Sequence, residues 1–325
     1  MVRLRKTVWT CIVILCCFAS SANAAGIQLF NQGPTLSGAI WYPCRAEPKH
    51  VELGDMAVAV DYGLVGVKDC PVTGTKLPLV VFSHGTGGWF GGHHDTAAAL
   101  ADAGFIVAAI SHPGDTAKDS SRSDDLSIFG SRPADMVRLL DFLLQDWKDK
   151  AVVDQGRIGL FGFSMGGYTS LALIGVTPDF ARACKDDATG FCAQLRSSEP
   201  PRPPHDGRIK AAAIADPPSQ FFTRDNLAAI KTPLQFWRAE LKASAVDPQG
   251  TNRVARSLPG TPEVHTVPGG HFAFLAPCSP QLATAVPRIC TDVPAGFDRA
   301  AFHREFNASI VRFFRDHLVP DDPAR

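Results

Sequence analysis

The chain has 325 residues, 45% of them hydrophobic and 20% charged, the balance of a globular protein with a sizeable core. Lys plus Arg and Asp plus Glu number 32 each, so no bulk charge draws the chain to nucleic acid or to an anionic membrane surface. That leaves function to specific sites rather than to overall charge.

The N-terminus reads as an export signal. Arg3, Arg5 and Lys6 give a basic start, Val8 to Phe18 an apolar run, and Ala22-Asn23-Ala24 the small residues needed for cleavage. The apolar run reaches roughly 16 Å as a helix, short of a ~30 Å hydrocarbon core, which argues against a membrane span. Residues 1–24 are therefore expected to be removed, leaving 25–325 as one domain. Cys11, Cys16 and Cys17 leave with the signal and six cysteines remain. An even number in an exported chain suggests disulfides, and proximity suggests Cys44–Cys70, Cys184–Cys192 and Cys278–Cys290.

Gly26 to Pro43 alternates and carries turn residues, which suits short antiparallel strands at a sheet edge. Arg45 to Thr75 is irregular, with room for a strand or two. From Lys76 the pattern becomes strand, turn, helix, repeated. Leu79-Val80-Val81-Phe82 is a continuous apolar run, as in a strand covered on both faces. A helix follows over His94–Ala103, then a buried strand over Phe105–Ile110. Pro133 to Trp147 reads as a helix capped by Ser131, with Val137, Leu140, Leu144 and Trp147 on one face. Arg157–Phe161, Ile209–Ala215, Leu234–Trp237 and Glu263–Val267 supply further strands, and Ile310, Phe313, Phe314 and Leu318 mark a final helix. Strands alternating with helices predict an α/β fold with a mostly parallel, doubly wound sheet. Residues 178–208, rich in proline, form the largest interruption.

The stretch that carries chemistry is Gly162-Phe163-Ser164-Met165-Gly166, a G-x-S-x-G pattern between a buried strand and a helix-forming run. A serine there sits in a tight turn with its hydroxyl exposed above the sheet. Its hydroxyl needs a base, and the base an orienting acid. His271 follows the strand Glu263–Val267 across Pro268-Gly269-Gly270 and fits the base; His265, His303 and His317 lie within a strand or on the terminal helical segment. For the acid, Asp216, Glu240 and Asp247 all follow strands, and position alone does not choose among them. Ser83-His84-Gly85-Thr86-Gly87 ends a strand in the manner of an oxyanion-hole loop, with donors expected from the N–H groups of Thr86 and Met165. Trp89 and Phe90 are placed to wall an acyl pocket. His93-His94-Asp95 looks metal-like, but adjacent residues on a helix start point apart.

The runs Leu-Pro-Leu-Val-Val-Phe-Ser-His-Gly-Thr-Gly, Gly-Phe-Ile-Val-Ala-Ala-Ile-Ser-His-Pro-Gly-Asp and Gly-Phe-Ser-Met-Gly-Gly resemble bacterial α/β-hydrolase proteins called predicted dienelactone hydrolases, and also the platelet-activating-factor acetylhydrolases. The resemblance spans roughly residues 35–318. It implies an α/β-hydrolase fold, an acid just after the strand that follows the elbow, which selects Asp216, and Ser164, His271, Thr86 and Met165 in the remaining roles. It implies neither metal nor organic cofactor. True dienelactone hydrolases use a cysteine where this chain has Ser164, so the resemblance points to a serine esterase for short or medium acyl groups rather than to that substrate. The expectation is thus an exported, periplasmic or extracellular esterase acting on a small-molecule or lipid ester, with residues 178–208 as a cap over the site. An amidase or peptidase with the same triad, and a non-catalytic binding protein of the same fold, remain alternatives.

Overall fold

The computed structural model describes residues 24–319 apart from positions 61 and 188; the expected signal sequence, except Ala24, lies outside the described residues. The strands are β1 (Ala24–Asn31), β2 (Ser37–Cys44), β3 (Lys49–Glu52), β4 (Gly63–Lys68), β5 (Leu77–Ser83), β6 (Ile106–Ile110), β7 (Val153–Phe163), β8 (Ile209–Ala215), β9 (Leu234–Leu241) and β10 (Glu263–Gly270). They form one sheet in the order β10-β9-β8-β7-β5-β6-β2-β1-β4-β3, in which the run from β10 to β6 is parallel throughout.

Parallel strands need crossover helices, and those helices must cover both faces. The side chains of β5 divide accordingly. Leu79 and Val81 pack with Met136, Leu139 and Leu171, from helices α2 (Ile128–Gln145) and α3 (Met165–Leu173). Val80 and Phe82 pack with Leu100, Phe306 and Phe313, from helix α1 (His94–Asp102) and the terminal helix Arg299–Leu318. This is the doubly wound sheet expected from the alternating elements.

Two elements differ from expectation. β1 and β2 are antiparallel as predicted but lie inside the sheet, because β4 adds to the free side of β1 and β3 to β4. The Cys44–Cys70 disulfide ties the end of β2 to the residues just past β4, and the Asp69 N–H donates to the Ile27 carbonyl at 3.0 Å. Helix α2 begins at Ile128, not Pro133, which sits within it. Proline has no N–H for the carbonyl four residues back, here that of Phe129. The Tyr168 hydroxyl donates to that carbonyl at 3.3 Å, so the early start leaves no buried orphan there. Ile128 and Phe129 are buried and extend the apolar face of α2 backwards. The three disulfides present are the pairs that proximity suggested: Cys44–Cys70, Cys184–Cys192 and Cys278–Cys290.

Candidate active site

Ser164 stands between the end of β7 and the start of α3, with φ of 54°, in the left-handed region that a non-glycine residue rarely adopts. The turn is held by its neighbours. The Ser164 N–H donates to the Ala215 carbonyl at 2.9 Å, and the Gly167 N–H to the Ser164 carbonyl at 2.8 Å. Both flanking glycines are required by close approach: a Cβ on Gly162 would run into the Gly166 carbonyl, and one on Gly166 into that of Ser83.

Asp216 follows the last residue of β8 and is also left-handed, with φ of 46°. It is 1% exposed and both carboxylate oxygens are engaged: Oδ1 accepts from the Ala239 N–H at 3.0 Å, and Oδ2 from His271 Nδ1 at 2.6 Å. His271 opens a short turn, His271–Phe274, at the end of β10, and its ring lies 4.6 Å from that of Phe163. With Nδ1 donating to Asp216, Nε2 is the nitrogen left to act as base. The other acid candidates go elsewhere. Asp247 caps the helix Pro248–Ala255, accepting from the N–H groups of Gln249 at 3.1 Å and Gly250 at 2.9 Å, and Glu240 is exposed.

The turn that carries His271 is anchored by two histidines. His303 donates from Nε2 to the Ala273 carbonyl at 2.8 Å while Nδ1 meets Asp95 at 2.6 Å. Buried His93 donates from Nδ1 to the Phe274 carbonyl at 3.0 Å, and burial holds its pKa down to about 3, so it stays neutral. Asp95 is held below the usual carboxylate range because the bond to His303, that residue's charge and the Asn307 amide outweigh its burial. His93, His94 and Asp95 thus point to separate partners: His94 bonds through Nδ1 to the Gly91 carbonyl at 3.0 Å.

The loop after β5 rests on a buried polar network. His84 Nδ1 donates to the Gly85 carbonyl at 2.6 Å, and its Nε2 accepts from the His112 N–H at 3.0 Å. Burial and the nearby Arg132 charge push the His84 pKa well down, so it serves as a neutral strut. The Arg132 guanidinium donates to the His84 carbonyl and to Asp115 Oδ2, the latter at 2.5 Å. Asp115 Oδ1 in turn accepts from the Gly87 N–H at 3.0 Å. The loop is therefore fastened on both sides of Thr86, which is exposed to the cavity. The Met165 N–H is the first amide of α3, one of those a helix leaves without an intrahelical acceptor. Nothing in the sequence marks Arg132, and Asp115 stands out only as the last residue of the second run quoted for the resemblance, with no role attached, since a charged residue in a loop and one on a helix ordinarily face solvent.

Ser164, His271 and Thr86 line one cavity of about 400 Å³, together with Tyr62, Trp89, Phe163 and Phe272. Trp89 faces it as expected, whereas Phe90 turns away to pack at 6.5 Å from Trp41. The cover is not the one expected. No described residue of 178–208 lines this cavity; Phe180 and Phe191 pack at 5.4 and 4.6 Å from Phe129 of α2, where their apolar area is buried. The wall is formed instead by Val58 and Tyr62 on one side and by residues 275–289 on the other. The latter segment is closed by Cys278–Cys290 and tied down by buried Arg299, which donates to the Ile289 carbonyl at 2.9 Å and to Asp292 at 2.8 Å.

The comparisons agree with this architecture. Residues 75–190 are similar to the family described as Hydrolase_4, serine aminopeptidase, S33. That stretch includes the oxyanion-type loop and Ser164 but neither Asp216 nor His271. The solved structure of a ferulic acid esterase from Streptomyces cinnamoneus matches with a TM-score of 0.60 at 21% identity, over 92% of this chain and 91% of that chain. The chain has the α/β-hydrolase fold.

Proposed function

We propose that the chain hydrolyses carboxylic esters through an acyl-enzyme on Ser164. The observation that carries this is the buried 2.6 Å bond between Asp216 and His271, at a cavity that both His271 and Ser164 line. His271 Nε2 takes the proton from Ser164 as its Oγ attacks the ester carbonyl. The N–H groups of Thr86 and Met165 hold the oxyanion, each such donor being worth about 3 to 4 kcal/mol in the transition state. Collapse breaks the ester bond and the alcohol leaves with the proton from His271. Water, deprotonated by the same nitrogen, then releases the acid. Asp216 keeps Nδ1 protonated and balances the imidazolium. The cavity volume suits short or medium acyl groups, in keeping with the resemblance to acetylhydrolases. Three disulfides support export to an oxidising compartment.

The similarity to aminopeptidases favours a second reading, cleavage of peptides from their N-terminus. An aminopeptidase must hold a free ammonium group, and no Asp or Glu among the described residues lines this cavity. The ester reading is the better supported. A fluorophosphonate probe tests it: labelling of Ser164, lost in Ser164→Ala, is expected, with turnover of 4-nitrophenyl esters and none of aminoacyl anilides. A folded, disulfide-intact protein that takes no label would instead favour a binding protein of the same fold.

A further inference from the structure

The substrate cavity holds one charge that ester cleavage does not use. Among the described residues lining it, Arg288 is the sole Asp, Glu, Lys or Arg. It lies on the short helix Pro287–Cys290, within the segment closed by Cys278–Cys290. Its guanidinium carbon stands 5.5 Å from the centre of the Phe272 ring, and Phe272 directly follows His271. Arg288 is exposed and belongs to no ion pair among the described residues. Its backbone is fixed from two sides, by the disulfide and by the Arg299 bond to the adjoining Ile289 carbonyl. The face of Phe272 steadies the cation without neutralising it.

A guanidinium so placed is a fork for a carboxylate. The cavity that Arg288 and Ser164 share has flat apolar walls from Trp89, Phe163 and Phe272. Resting on the esterase reading, we propose that Arg288 selects esters that carry, beyond a flat apolar body, a free carboxylate. The substrate class is then monoanionic: either a half-ester of a rigid dicarboxylic acid or an ester of a hydroxy-acid. Both present the same group to Arg288 and differ in whether the charge leaves with the alcohol or stays on the acyl-enzyme. A neutral lipid or polymer ester would leave the cation unpaired in the cavity.

Two matched substrate pairs test this. Methyl 4-acetoxybenzoate and 4-acetoxybenzoate differ by a carboxylate on the leaving group. 4-Nitrophenyl 4-methylbenzoate and 4-nitrophenyl hydrogen terephthalate differ by one on the acyl group. For at least one pair, the anionic-to-neutral ratio of kcat/KM should fall about tenfold in Arg288→Gln, mainly through KM, and recover in part in Arg288→Lys. Which pair responds identifies the side that bears the charge. The wild-type ratio should also shrink as salt rises from 20 to 500 mM, values set for the assay (roughly 20 and 3–5 Å of screening length). A ratio unchanged by Arg288→Gln in both pairs overturns the proposal. If the wild type turns over no member of either pair, the esterase reading is what fails, and calorimetry with monomethyl terephthalate on Ser164→Ala still decides for Arg288. Binding weakened about tenfold by the added Arg288→Gln upholds the anion site, and equal binding refutes it.

Discussion

Asp216 and Asp247 are both acids beyond β8, the first buried and the second exposed, and what their oxygens hold separates them further. Asp216 fixes His271 with one oxygen and the Ala239 amide with the other. Asp247 caps a helix. Asp216→Asn should therefore lower kcat about 10⁴-fold while leaving KM within a few-fold, because the amide no longer enforces the required imidazole tautomer. Asp247→Asn and Glu240→Gln should stay within about threefold in kcat, since neither meets the imidazole. Asp247→Ala should instead lower stability by about 1 kcal/mol, read from urea unfolding. Steady-state kinetics on the three carboxylate variants checks the assignment directly; a crippled Asp247→Asn with active Asp216→Asn would reverse it.

The β5–α1 loop depends on elements that are far apart in the chain. Asp115 follows β6, Arg132 is on α2, and together they clamp the loop around Thr86. Asp115→Asn should lower kcat by about 10- to 100-fold with little change in KM, a part of what full loss of an oxyanion donor costs. It should also destabilise by about 3 to 5 kcal/mol, because Arg132 would stay buried without its partner. Asp135, which accepts from His112 Nδ1 at 3.0 Å, adds a pH signature. Burial pushes its pKa up to about 6 against the pull of Arg138 and Arg132. A carboxyl raised from its free value of about 4 binds more protons folded than unfolded, so stability falls as pH rises between about 4 and 6. The contribution, on the order of 2–3 kcal/mol, should vanish in Asp135→Asn, and urea titrations at several pH values across that window would show it.

These elements also mark the limit of what sequence reveals. The elbow was legible because its glycines, serine and flanking strand are contiguous, and the β5, β6 and β8 strands because burial on both faces forces unbroken apolar runs. His271 was legible from its place after a strand. The choice of Asp216 as candidate acid needed the resemblance, because three carboxylates share the same local pattern and only the fold brings one to His271. The start of α2 was hidden by Pro133, whose missing hydrogen bond is made good by Tyr168, remote in sequence. Arg132 gave no signal, and Asp115, His93 and His303 none for the positions they hold, since a buried polar network is assembled from residues that each look solvent-bound alone. The cover over the cavity was misplaced for a related reason: length and proline content single out 178–208, but the segment's Phe180 and Phe191 have their partners on α2.

At the scale of the whole molecule, the cover over the cavity is stapled as well as packed. Ala276 and Leu282 are buried, and Cys278–Cys290 and Arg299 tie down the rest of residues 275–289. Replacing both cysteines by serine should lower stability by about 2 to 3 kcal/mol, the loop-closure value for a short loop. KM should rise more than kcat falls, because the residues loosened line the cavity and include none of the proposed reacting groups. Urea unfolding with parallel kinetics separates the two effects. The order of the sheet has a further consequence, for the time course of folding. Ser164 rises from the central strand β7, whereas His271 hangs from β10, an edge strand contributed late in the sequence. Central parallel strands can associate and the turn at Ser164 can form while His271, the proposed base, is still undocked, and such long-range parallel pairing is slow. In a refolding chain, tryptophan fluorescence should therefore recover ahead of turnover, and the first catalytic cycle dates the arrival of the last strand.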